Sequence, residues 1–203
     1  MPKIEKITPF TANPHLNLYD MDVESKTGRR SHYYLASRAK TKEELKINTR
    51  VNTPDGVIIF SLYGEAKDKV VLVRQYRYTI DSYIYEFPAG LVEPGEDFKE
   101  AAVREMKEET GLTLSPLDVD GAYEKPYFTT IGMTDESCGT VYGYADGEIS
   151  ADGLEDTEEL EIVLADREEV RRILKEENVA IMAAYMLMHF LHDEEPFAFL
   201  KEI

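Results

Sequence analysis

Three glutamates within five residues, Glu105, Glu108 and Glu109, are the side chains of this 203-residue chain best placed to do chemistry. The segment that carries them follows a Pro94-Gly95 turn, places Asp97 and Glu100 at capping-box spacing and stops before Gly111, which predicts a helix over Phe98–Thr110. At roughly 100° per residue, Phe98, Ala101 and Ala102 share one stripe, and the three glutamates continue it toward the C-terminal end. Like charges at these spacings destabilise a helix by about 0.2–0.5 kcal/mol per pair, and anions at a helix C-terminus also oppose the dipole. A solvated acidic face is the ordinary explanation of such a run. Here it is awkward, because the stripe begins with residues that should pack on a core, while Lys99 and Lys107 lie elsewhere around the helix. A divalent cation removes the conflict. Clustered carboxylate oxygens suit Mg²⁺ or Mn²⁺, and Mg²⁺ commonly joins one or two carboxylates to substrate phosphates. Arg104 stands four residues after Glu100 and four before Glu108, so it can pair with both and fix a carboxylate's orientation.

Other chemistries find no support. There is no G-x-x-x-x-G-K-[ST] loop, no H-E-x-x-H and no serine elbow. His15, His32, His189 and His192 lack zinc-site spacing, and the single Cys138 can form neither an intramolecular disulfide nor a cysteine-based zinc site, which fits a reducing compartment. A net charge of −17, from 40 acidic and 23 basic residues, repels nucleic acid polymers and anionic membranes. A phosphate-bearing ligand is therefore expected to be small and to meet a metal ion or a few placed arginines. The N-terminus has no signal-peptide run, and the apolar stretch 179–191 is shorter than the ~20 residues a membrane helix needs, so a cytoplasmic protein is expected.

The elements that must position the glutamates are readable around them. Residues 16–37 form two strand-like runs about a Gly-containing turn, a candidate N-terminal β subdomain joined to the core by the polar stretch 38–53. Runs 56–63 and 69–78 suggest a further hairpin, and 83–87 a short strand. Beyond the glutamate helix, strands are expected over 118–128, 139–144 and 160–164, an acidic loop over 145–158, and helices over 167–177 and 179–191. With 43% apolar residues the chain can bury one substantial core, so the expected organisation is a small β subdomain over residues 1–50 and one catalytic domain over 51–203. On its strand, Tyr33 and Tyr34 alternate, so one faces the core and the other could stack on a nucleobase.

Around the helix the chain reads Gly90, five residues, Glu96, seven residues, then Arg104, Glu105, Met106, Lys107, Glu108, Glu109, Thr110, Gly111, Leu112. This matches every specified position of the Nudix box, G-x5-E-x7-R-E-U-x-E-E-x-G-U, where U is bulky and apolar. The chain thus resembles the Nudix hydrolase superfamily, and VVLVRQYRY followed by YEFPAG is similar to its ADP-ribose and nucleotide-sugar branch. The resemblance implies an α/β/α sandwich with a mixed sheet and a small N-terminal β subdomain that exchanges between the protomers of a homodimer. It makes Glu105 and Glu109 the principal Mg²⁺ (or Mn²⁺) ligands, with Glu108 assisting, Arg104 holding a glutamate, Glu96 binding or supporting the metal, and Ala89 lending a backbone carbonyl.

By the same resemblance Arg77 and, more weakly, Arg38 become candidate diphosphate contacts, where the arginine fork suits two phosphates. Similar enzymes activate water with a glutamate on the loop before the last core strand. In GLEDTEELEIV the first choice is Glu158, with Asp156 and Glu159 as alternatives. The implied reaction is metal-dependent hydrolysis of a nucleoside diphosphate derivative, foremost ADP-ribose to AMP and ribose 5-phosphate. UDP-sugars, GDP-mannose and diadenosine polyphosphates stay open, because the loop proline usual in the ADP-ribose branch is not matched: counting from Gly111 reaches Tyr127, and aligning the loop 129–136 puts Ile131 there. A nucleotide-sensing module is the non-enzymatic alternative.

Overall fold

The runs GVIIFSLY at 56–63 and KVVLV at 69–73 are apolar almost throughout, which suits strands covered on both faces. The structure, a computed structural model, describes residues 1–154 and 159–201. In chain order it contains β1 (Lys3–Pro9), β2 (Asn17–Glu24), β3 (Arg30–Ser37), the short helix α1 (Lys46–Thr49), β4 (Gly56–Tyr63), β5 (Lys69–Arg77), β6 (Ser82–Glu86) and β7 (Ala89–Leu91). There follow α2 (Phe98–Thr110), β8 (Thr113–Pro116), α3 (Gly121–Glu124), β9 (Tyr127–Phe128), β10 (Ser137–Asp146), β11 (Leu160–Ala165), α4 (Arg167–Glu176), α5 (Ile181–His192) and a 3-10 turn, Ala198–Lys201. They divide into two units, Met1–Asp55 with Pro126–Cys138, and Gly56–Lys125 with Gly139–Ile203.

In the larger unit a mixed sheet runs β11-β5-β4-β10-β8, with β6 added on β5 and β7 on β4. Alternation along β4 and β5 sends side chains to two separate cores. Phe60, Leu62, Val70 and Leu72 meet Val170 and Ile173 of α4 and Ala183, Leu187 and Phe190 of α5. Val57, Ile59 and Val71 meet Ala101, Ala102 and Met106 of α2. This is the expected α/β/α sandwich. Among the described residues, no helix is long and apolar enough to cross a membrane.

In the smaller unit β1, β2 and β3 form an antiparallel sheet in that order. Tyr19, Met21, Leu35 and Leu45 close its small core, where the Tyr19 hydroxyl donates to the Ala39 carbonyl at 2.8 Å. Lys46, at the start of α1, pairs with Asp55 and donates to Ser137, tying the ends of the unit's two chain segments. Burial, with Glu136 and Asp55 adding to it, pushes the Cys138 thiol up to about 11.

The expected strand over 118–128 is not formed. The chain extends earlier, as β8 before this stretch, whose Leu114 is buried, and then turns into α3 because the Asp120 side chain accepts from the Ala122 N–H as an N-cap. Only Tyr127 and Phe128 return to extended pairing, as β9 against Cys138 and Ser137.

Candidate active site

The short strand β7 delivers Ala89, Gly90 and Leu91 beside α2 by pairing with Ile58, Val57 and Gly56 of β4. The helix starts at Asp97, whose side chain accepts from the Lys99 N–H at 2.9 Å, and ends at Gly111, whose φ of 73° is the left-handed cap that glycine adopts without strain. Ala101, Ala102 and Met106 bury one face, and that packing fixes the azimuth of the charged residues. Glu109 follows the buried face to 4% exposure, whereas the Glu108 side chain keeps 51% of its surface.

Arg104 organises the carboxylates. Its Nε and one terminal nitrogen donate to the two oxygens of Glu96 at 2.9 and 3.0 Å. The other terminal nitrogen reaches Glu105 at 2.8 Å and Glu108 at 3.0 Å, and a further hydrogen bond goes to the Leu91 carbonyl at 3.0 Å. Of the two glutamates expected to flank it, Glu108 pairs as the i,i+4 spacing requires, while Glu96, not Glu100, is the second partner. Glu96 also accepts from the Glu93 N–H at 2.9 Å, and together with Arg104 this holds its carboxyl below the usual range. Conversely, these carboxylates raise the already high pKa of Arg104, so the guanidinium is a permanent cation here.

The bare backbone of Gly90 makes room for the Glu105 carboxyl. A Cβ built there would lie 1.9 Å from the Glu105 carboxyl, so the carboxylate occupies the volume of the missing side chain. Across from it the Ala89 N–H donates to Glu109 at 3.1 Å. The oxygens of Glu105, Glu108 and Glu109 are not drawn into a trio within 4.8 Å of one another. Arg104 takes two of these side chains and β7 the third. Even so, the donor set is all carboxylate and carbonyl oxygen, one acid is almost fully buried, and glycine opens the approach. These features fit a hard divalent cation, which takes clustered oxygen ligands.

The remaining predicted residues fall in several places. Arg77, at the end of β5, pairs with Glu86 of β6 at 2.7 Å. Arg38, in the smaller unit, pairs with Glu136 at 3.0 Å. Strand alternation places Tyr33 with Leu35, opposite Met21, and Tyr34 on the other face, opposite Asp20. Tyr33 thus shares the core-side face of Met21 and Leu35 yet stays 42% exposed, its hydroxyl donating to the Gly132 carbonyl at 2.6 Å, while Tyr34 is 53% exposed.

Glu158 and Asp156 lie outside the described residues. Of their flanks, Gly153 backs onto α2, where a Cβ would come within 2.6 Å of the Glu108 carbonyl, and the Glu159 carbonyl accepts from the Tyr76 N–H at 3.0 Å. Glu159 itself accepts a hydrogen bond from the Tyr83 hydroxyl. The backbone partners Leu91 and Glu93 went unread in the sequence, because they act through groups every residue carries.

The NUDIX domain family model matches residues 52–187. Among curated relatives, a protein named putative nudix hydrolase 2 from Caenorhabditis elegans is 35% identical over 119 residues, covering 56% of this chain and 52% of its own length. An ADP-ribose pyrophosphatase of Bacillus subtilis (strain 168) is 32% identical over 121 residues, covering 60% of this chain and 54% of its own. The match thus spans about half the length of these two relatives. A crystal structure of an ADP compounds hydrolase superposes with a TM-score of 0.65 over 96% of both chains at 20% identity, a likeness of fold.

Proposed function

The chain belongs to the Nudix family, and from that premise we propose that it is a divalent-metal-dependent pyrophosphatase whose substrate is ADP-ribose, cleaved to AMP and ribose 5-phosphate. One observation carries the reading: the charged positions of the box are intact and mutually arranged, with Arg104 on Glu96, Glu105 and Glu108, and the Glu105 carboxyl seated on Gly90. Similarity to a protein named ADP-ribose pyrophosphatase supports the substrate class.

Glu105, Glu109 and the Ala89 carbonyl would hold Mg²⁺ or Mn²⁺, with Glu108 adding a ligand. When bound, the metal supplies Lewis-acid polarisation of the diphosphate and a lower pKa for the attacking water. Glu96 spends both oxygens on Arg104, so its role is to fix the guanidinium, and Arg104 in turn orients Glu105 and Glu108. Arg77 is the proposed diphosphate contact, exchanging Glu86 for phosphate oxygens; Arg38, Tyr33 and Tyr34 are the proposed contacts from the smaller unit. Glu158 is the proposed general base. Water attacks one phosphorus, the bridging P–O bond breaks, and the water's proton passes to this carboxylate. The small N-terminal β subdomain, a homodimer and a cytoplasmic location belong to the same proposal.

The test is product formation from ADP-ribose, UDP-glucose, GDP-mannose and diadenosine polyphosphates with Mg²⁺ or Mn²⁺, against an EDTA control. AMP release that is strongest from ADP-ribose and abolished by EDTA is expected. Glu109→Gln should lower the rate by at least about a hundredfold, and a wild-type rate in that variant would remove Glu109 from the metal site. Preference for another substrate would keep the chemistry and overturn the substrate.

A further inference from the structure

We propose that Asp20, Asp22 and His32 form a divalent-metal site on the N-terminal sheet, suited to a borderline ion such as Zn²⁺ and sharing no residue with the Nudix box. The register of β2 on β3 sets Asp22 directly opposite His32, with Asp20 opposite Tyr34 one pleat along. All three side chains therefore leave the sheet on the face away from Tyr19, Met21 and Leu35. The His32 Nδ1 lies 2.9 and 3.0 Å from the two oxygens of Asp20 and 3.4 Å from Asp22 Oδ1, and the three ligand atoms are all within 4.8 Å of one another. Around one Zn²⁺ with bonds of about 2.0–2.2 Å, neighbouring donors stand about 3.0–3.5 Å apart. The side chains are already close to that spacing.

A cross-strand His–Asp ion pair accounts for only part of this. Such a pair needs one carboxylate, and Asp20 supplies it. Asp22 adds a second negative charge two residues away on the same face, where like charges repel. The edge strand points the same way. Pairing of β1 with β2 runs from Ile4–Val23 to Lys6–Asp22, leaving Glu5 as the extra residue of a bulge. Bulges re-aim a side chain, and Glu5 lines, with Asp22 and His32, a hollow of about 420 Å³. Two basic residues adjoin it. Arg30 leans toward Glu24 at 3.7 Å, and Lys6 stands opposite Asp22, the cation with which a metal would compete. One imidazole with carboxylates selects zinc-class ions over Mg²⁺, which prefers oxygen alone. An ion here would clip β2 to β3.

Equilibrium dialysis of the whole chain carrying Glu109→Gln against Zn²⁺ tests the site, because that variant cripples the Nudix ligands and so separates the two proposals. One saturable equivalent should survive in Glu109→Gln and weaken at least about tenfold when His32→Ala or Asp22→Asn is added. The His32 side chain is 56% exposed, so neither folding nor the far-UV circular dichroism should change. In the wild type, nitrogen NMR should show Zn²⁺ shifting the His32 imidazole in proportion to site occupancy. Zinc binding that is absent from Glu109→Gln, or indifferent to both further substitutions, would overturn the site and leave the triad as a cross-strand ion pair only.

Discussion

One methyl group should be enough to evict Glu105. Gly90 has no left-handed φ, so Gly90→Ala is tolerated by the backbone, and its effect isolates the 1.9 Å clash with the Glu105 carboxyl. Turnover should fall about 10–100-fold, the size seen when a metal ligand is displaced from its orientation. The substrate KM should change little, because the proposed diphosphate contacts are untouched. Steady-state kinetics with a thermal melt checks this: unchanged turnover would mean that Glu105 can serve from another rotamer, whereas a collapsed Tm would make the change a folding defect.

At the scale of elements, β4 carries an avoidable cost. The Ser61 hydroxyl is fully buried and has no hydrogen-bond partner among the described residues, whereas its neighbours on the strand pack as hydrocarbons. Ser61→Ala removes a desolvated polar group and should stabilise the protein by about 1 kcal/mol, read as a higher denaturation midpoint at constant m-value; an unchanged or lower midpoint would mean that the hydroxyl is satisfied in solution. The same strand shows what the sequence could disclose. Continuous apolar runs announced β4 and β5, and cap chemistry announced α2, because both signals are local. The region 118–128 misled because β propensity there was outweighed by one aspartate cap at Asp120 and by the burial of Leu114 one segment earlier. Within the site, the i,i+4 partner Glu108 was legible, but Glu96 was not assigned to Arg104, because that contact depends on how the loop after β7 folds back. The Asp20, Asp22 and His32 cluster was unreadable for a related reason: spacing gives the two aspartates a common face, but only strand register brings the histidine to them.

For the whole molecule, the proposed homodimer predicts that light scattering on the eluting peak will give twice the 23.2 kDa chain mass; a single-chain mass at micromolar concentration would refute it. The charge of −17 would make the proposed association sensitive to ionic strength, since acidic surfaces repel until screened over a Debye length of about 8–10 Å. Covalent chemistry offers the chain another kind of resilience. Cys138 is its one cysteine, and a thiol pushed up to about 11 carries only about one thiolate in ten thousand molecules at neutral pH. Oxidants and alkylating agents act on thiolate, so the protein should pass through bursts of peroxide with its sulfhydryl intact, and the proposed pyrophosphatase activity would outlast that of enzymes that depend on a low-pKa cysteine.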